Sequence, residues 1–218
     1  MYGLGRIPSK PDSRDFQVAR LEALITTGQA VPMEWKNPVV LDQGQTPHCV
    51  GYGCAGYCGT AELNMGPRSV TGMDGERIYY EAKVYDGEPL KENGSSVRSG
   101  AKALLHKEGV INAYAFGSFD EAKAWVAAHG PVVIGIPWYQ RMFYPSATGI
   151  IYVGGPVAGG HCLLWSGVHV KVGARYYNVL DNSWGTGWGV GGRCYITDAS
   201  LKKLLAQQGE AMMAVRVK

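Results

Sequence analysis

Two hydrophobic rhythms divide this chain. Between residues 49 and 129 apolar positions recur every three to four residues, the spacing that places them on one helical face. Gly75 to Tyr85 and Arg98 to Lys107 are amphipathic on that period, and Phe119 to His129 is the clearest segment, with Ser118 or Asp120 as its cap and Gly130-Pro131 as its stop. Cys49 to Leu63 is also predicted helical, although its small residues are poor helix formers and its helicity must come from packing. After residue 131 short apolar and alternating runs take over. Strands are predicted over Val132–Ile136, Gly149–Val153, Cys162–Val170, Arg175–Leu180, Gly192–Thr197 and Ala211–Val217, with one short helix over Leu201–Gln207.

Helices first and strands later predict an α+β protein of two lobes. The helical lobe is expected over about 40–128 and the β lobe over about 129–218, within one domain spanning 31–218. Residues 1–30, with Pro8, Pro11 and Asp12-Ser13-Arg14-Asp15, read as an extended N-terminal arm.

Composition narrows the function. The 218 residues are 46% hydrophobic, enough for a packed core, and 18% charged, below the usual level of roughly 25%. A net charge of +3, with Lys and Arg scattered, gives no electrostatic footprint for nucleic acid. No apolar run approaches the roughly 18 residues of a membrane span. Met1-Tyr2-Gly3-Leu4-Gly5-Arg6 carries no visible signal peptide, so the cytoplasm is the default expectation, with secretion left open. The five cysteines form no regular framework and their odd number leaves at least one free thiol.

Three separated segments carry candidate chemistry. Cys49 follows Pro47 at the start of a predicted helix, where unpaired N–H groups and the helix dipole favour a thiolate. Gln43, six residues earlier across a Gly44-Gln45-Thr46-Pro47 turn, is placed to donate its amide to an oxyanion together with the Cys49 N–H. Taken alone, Cys49 reads more readily as a buried structural thiol. Cys54 and Cys58 read as structural, and with His48 they lack metal spacing, so neither metal nor cofactor is expected.

Of five histidines, His48 adjoins Cys49 on diverging side-chain directions, and His106 and His129 close exposed helices. His161, directly after Gly159-Gly160 and at the head of an apolar strand, is the best base; His169 lies farther along that strand. Asn182 and Asp181 compete to orient its imidazole, and strand alternation allows only one of them to face it. Trp184 is placed to shield that hydrogen bond, with core packing as the plainer reading.

These segments, from Val31-Pro32-Met33-Glu34-Trp35-Lys36 through Gln43 and Cys49 to Gly160-His161 and Asn182-Ser183-Trp184-Gly185-Thr186-Gly187-Trp188-Gly189, resemble the papain-like cysteine peptidases. The resemblance covers about residues 31–218 and looks more like bacterial or viral members. It implies a helical left lobe and an antiparallel, barrel-like right lobe with a cleft between them. It further implies Cys49 as nucleophile, His161 as base and acid, Asn182 as orienter and Gln43 as oxyanion donor. Gly94-Ser95 resembles the wall that hydrogen-bonds extended substrate, and Gly135 with Gly159-Gly160 borders the pocket for the side chain two residues before the scissile bond. With Gly135 lacking a side chain, that pocket is expected to be deep and to accept bulky apolar groups. Thr46-Pro47-His48-Cys49-Val50 departs from the family string by lacking the cysteine of a usual left-lobe disulfide.

The implied activity is peptide hydrolysis through a thioester, by a monomer acting on peptide or protein. An amidase acting on peptidoglycan or side-chain amides, and a non-catalytic peptide-binding homologue, are the alternatives. No long inhibitory segment is visible, so the arm over residues 1–30 is expected either to lie against the cleft as a built-in restraint or merely to pack on the right lobe.

Overall fold

The computed structural model describes residues 2–10, 16–17, 32–60 and 69–215. Within them the chain runs β1 (Arg6–Ile7), β2 (Phe16–Gln17), β3 (Met33–Glu34), α1 (Cys49–Gly59), α2 (Gly72–Asp86), β4 (Ser95–Ser96), α3 (Val97–His106), β5 (Ala113–Phe116) and α4 (Phe119–Ala128). It continues through β6 (Val132–Tyr139), β7 (Val157–Val172), β8 (Arg175–Asp181), β9 (Arg193–Ile196), α5 (Asp198–Ala206) and β10 (Glu210–Val215). The architecture is the expected α+β pairing of a helical lobe with an antiparallel sheet lobe.

The sheet runs β2-β5-β10-β6-β7-β8-β9, with β3 added on β7. Because strand side chains alternate, the sheet serves two cores at once. Val132, Ile134 and Ile136 of β6, Leu163 and Trp165 of β7, and Ala211 and Met213 of β10 join one cluster with Phe119 and Trp125 of α4 and Leu201 and Leu204 of α5. The opposite parity (Val133, Cys162, Leu164, Met212 and Ala214) joins a second cluster with α1, α2 and α3. His161 therefore shares the face of Leu163, while Cys162 points under α1.

Helix α1 is buried along its whole length. Four internal or terminal glycines cost a helix roughly 1 kcal/mol each against alanine, so tertiary packing must supply on the order of 4 kcal/mol. They also permit that packing: a Cβ on Gly51 would lie 2.1 Å from the Gly75 carbonyl oxygen, and one on Gly53 would lie 2.9 Å from Cys162 Sγ. Close approach of α1 to β7 is what carries Cys49 to the strand that holds His161. Helix α2 starts at a Thr71–Asp74 capping box and stops at Gly87 in the left-handed region, three residues earlier at its start than the periodicity predicts. Ser118, not Asp120, caps α4 through a capping box with Glu121.

One expectation needs correction, and one strand goes unpredicted. Gly149–Val153 forms no strand; only an isolated bridge joins Ile150 to Tyr195, because Gly149 takes a positive φ of 78° and turns the chain. Strand β5 is not among the predicted strands and pairs antiparallel with β10. The final residues of the predicted first helix, from 61 onward, lie outside the described residues. No described helix is long and apolar enough to cross a membrane.

Candidate active site

Cys49 is the first residue of α1, and the helix has no acidic residue in its first turn. The thiol is fully buried, and the neighbouring backbone of Cys162, Gly5 and Val50 favours its thiolate. Desolvation outweighs them and pushes the thiol up to about 12. All five cysteines are buried and none is in a disulfide.

His161 is also fully buried. Its Nε2 lies 2.7 Å from Asn182 Oδ1, while Nδ1 is buried without a hydrogen-bond partner. Burial lowers the imidazole to about 4, opposed by the bond to Asn182. Asn182 Oδ1 additionally accepts the Ser183 N–H at 2.8 Å, which fixes its carbonyl toward the ring. The Trp184 indole stacks on the imidazole with centroids 4.4 Å apart and planes 20° apart. Asp181 faces away, paired to Arg193 at 2.7 Å, and its burial raises it to about 6. The structure thus brings Asn182, not its neighbour, to His161.

The other histidines are engaged elsewhere. His48 stacks on Tyr79 with centroids 3.9 Å apart and pairs with Glu92 at 2.8 Å. His169 stacks on Tyr176, and His129 ends α4 beside Trp125. His106 ends α3 beside Tyr85.

Gln43 is 3% exposed and anchored at its amide oxygen by Ser183 Oγ at 2.7 Å. That leaves Nε2 facing inward, to the Thr46 carbonyl at 2.8 Å and the Gly3 carbonyl at 3.4 Å. Ser183 had no role in the sequence reading, since a serine between asparagine and tryptophan carries no signal of what it bonds across 140 residues.

Gly3 belongs to a segment that fills the groove. Residues 2–7 run past each residue expected to touch substrate. The Tyr2 ring stacks on Trp184, and the Gly3 carbonyl accepts Trp184 Nε1–H at 3.2 Å. Leu4 lies against Gly159, and the Gly5 N–H bonds the Gly160 carbonyl at 3.1 Å. Ser95 N–H donates to the Gly5 carbonyl at 2.8 Å, and β1 pairs with β4 in parallel register. Gly94 sits at a φ of 91°, and a Cβ there would lie 2.0 Å from the Gly5 carbonyl oxygen. The Arg6 side chain passes Gly135, and Arg6 Nη2 reaches Glu210 Oε2 at 2.5 Å. The pocket expected to be apolar therefore ends on a carboxylate. Beyond Gly3 a cavity of about 460 Å³ remains open, lined by Gln45, Gln140, Phe143 and Tyr144. The arm outside residues 2–10 and 16–17 lies outside the described residues.

Behind the Gly94-Ser95 wall, Lys83 is fully buried and donates to the Asn93 side chain at 2.7 Å and the Gly94 carbonyl at 2.9 Å. Asp86 accepts from the hydroxyls of Ser95 (2.7 Å), Ser96 (3.2 Å) and Ser99 (2.6 Å). Among the described residues no His, Cys, Asp or Glu cluster is arranged to hold a metal ion.

A helix-borne thiol, a buried imidazole held by a carboxamide and a groove between two lobes define the class of cysteine proteases. The chain belongs to the papain family: residues 27–213 match the profile described as "Papain family cysteine protease". Its fold is similar to that of xylellain, a cysteine protease from Xylella fastidiosa, at 19% identity and a TM-score of 0.79, covering 100% of this chain and 97% of that one. It is also similar to proCathepsin B S9 from Trypanosoma congolense (14% identity, TM-score 0.70, covering 100% and 87%). Digestive procathepsin L2 from Tenebrio molitor larval midgut matches at 15% identity and a TM-score of 0.67, covering 98% and 78%. Comparison with curated protein sequences returned no match.

Proposed function

We propose that Cys49, His161, Asn182 and Gln43 are the working parts of this cysteine protease, and that residues 2–7 occupy its cleft in a resting state. The observation that carries the reading is the His161–Asn182 bond at 2.7 Å, which commits Nε2 and leaves Nδ1 as the free nitrogen of the ring. Nδ1 takes the Cys49 proton, the sulfur adds to the substrate carbonyl carbon, and the C–N bond breaks as His161 returns the proton to the leaving amine. Water, deprotonated by the same nitrogen, then hydrolyses the thioester and restores the thiol. Gln43 Nε2 and the Cys49 backbone N–H stabilise the oxyanion, a contribution of roughly 2.7–4 kcal/mol per donor.

The arm is not presented as a substrate. An attacked carbonyl carbon must lie about 3–3.5 Å from the nucleophile with its oxygen on the oxyanion donors. Gly5 instead gives its backbone N–H to the Gly160 carbonyl and accepts the Ser95 N–H on its own carbonyl. Burial beneath it holds thiol and imidazole neutral, so the covered pair is unreactive. Substrate requires the arm to leave, and leaving rehydrates the pair.

Cys49→Ala tests the catalytic assignment. Peptide turnover and labelling by an epoxide thiol inhibitor are both expected to vanish while the melting temperature holds. Retained turnover in that variant sinks the assignment.

A further inference from the structure

Arg6 sits in a pocket whose walls and floor come from three distant segments. Its aliphatic stem lies between Gly135 and Gly160: Cβ atoms built there would meet Arg6 Nε at 2.7 Å and Arg6 Cδ at 3.2 Å. The guanidinium presents one edge to the floor. Nε and Nη2 donate to Glu210 Oε2 at 3.1 and 2.5 Å, and Nη2 also donates to the Gln208 carbonyl at 2.5 Å. Glu210 Oε1 accepts the Ser9 N–H at 3.2 Å. The Arg6 and Glu210 side chains are only 2% and 14% exposed.

Two features show that the floor is built for this chemistry. Gln208 adopts a φ of 61°, a conformation uncommon for a residue with a side chain, and so directs its carbonyl into the pocket after α5 ends. Glu210 opens β10 opposite Gly135, so sheet register places the carboxylate across from the position without a side chain. The pocket thus offers a carboxylate and a carbonyl to one planar group. A guanidinium satisfies both from its edge, whereas an ammonium supplies a single point charge.

We propose that this is a specificity pocket selecting arginine in the substrate, and that Arg6 occupies it as an internal stand-in. The proposal rests on the reading above that Cys49 cleaves peptides in this groove. Once the arm leaves, Glu210 and the Gln208 carbonyl lose their partners. An arginine side chain entering between Gly135 and Gly160 restores them. An apolar side chain desolvates a carboxylate with nothing to pair it, and sites of that kind reject the analogue that lacks the hydrogen-bonding group.

The test uses the full chain and two blocked dipeptidyl coumarin amides. They share the residue at the scissile bond and differ in the residue before it, arginine or leucine. Mixed in one reaction and followed separately by mass, they give a ratio of kcat/KM values that is independent of how many molecules have an open cleft. Arginine is expected to be favoured at least about tenfold, with lysine in its place ranking between the two. Glu210→Gln is expected to lower the arginine-to-leucine ratio at least about tenfold. Leucine preferred by the wild-type chain overturns the proposal whether or not the variant folds, as does a ratio unmoved in a folded Glu210→Gln protein. If the Cys49 thiol still takes an epoxide inhibitor in that case, the pocket assignment alone has failed. If neither substrate turns over and the thiol takes no label even in Arg6→Ala, where the arm is released, the catalytic reading has failed and the pocket falls with it.

Discussion

His161 Nε2 and Asn182 Oδ1 stand 2.7 Å apart, on residues delivered by the start of one long strand and the end of the next. This single bond sets which ring nitrogen is left for sulfur, because a neutral imidazole carries its proton on one nitrogen or the other. Asn182→Ala removes the constraint without adding charge. Its kcat is expected to fall roughly 10- to 100-fold, the range seen when a partner orienting a functional histidine is lost. KM should change little. Steady-state kinetics on a dipeptide amide checks this, and an unchanged kcat would remove Asn182 from the mechanism.

The arm is held by backbone bonds at Gly3 and Gly5 and by the Arg6–Glu210 pair. Hydrogen bonds to charged groups contribute about 1.5–3 kcal/mol. Arg6→Ala therefore raises the open fraction roughly 10- to 100-fold, since 1.4 kcal/mol corresponds to a factor of ten. Turnover of a small substrate with leucine in the pocket position is expected to rise in that proportion. Equal rates in the two proteins would mean that the segment does not restrain the cleft.

Lys83 holds the Gly94-Ser95 segment from behind, with its side-chain nitrogen buried against Asn93, the Gly94 carbonyl, Glu88 at 3.4 Å and Asp86 at 3.8 Å. Removing one member of a buried charged group costs about 3–5 kcal/mol, because its partners stay desolvated. Lys83→Met is expected to lower stability by that order and to raise KM more than it lowers kcat. Thermal melting with steady-state kinetics checks both; a stable variant with ordinary KM contradicts the positioning role.

Much of this arrangement is legible in the residues. The alternation of Val132–Ile136 and Cys162–Val170 gives strands, and their double-sided burial explains why both parities are apolar. Asn182 and Trp184 together with the Gly159-Gly160-His161 segment mark the candidate site. Strand β5 is short and its Ala-Tyr-Ala-Phe run is equally good loop or strand until β10 lies beside it. Arg6 and Glu210 are 204 residues apart, so no local pattern links a basic residue in an arm to an acidic one at a strand start. The carboxylate near Gly135 goes unread for that reason: a missing side chain shows that room exists and is silent on what closes the far end.

Acidity acts on the two states through the number of protons each holds. Burial lowers His161 to about 4 and raises Cys49 to about 12, so between those values the covered pair holds one proton, on sulfur. The open ion pair holds the same single proton, moved to the imidazole, so around neutral pH opening takes up no proton and the restraint is expected to vary little with pH.

The rate of Cys49 alkylation by iodoacetamide between pH 5 and 9, in the intact chain and in Arg6→Ala, reads both halves of the account. The Arg6→Ala thiol should react well below pH 7, as a sulfur paired with a protonated imidazole. The intact thiol should react slowly across that range, because burial keeps the covered pair as thiol and neutral imidazole. Two identical profiles, each rising only near the free thiol value of about 8.5, would contradict it.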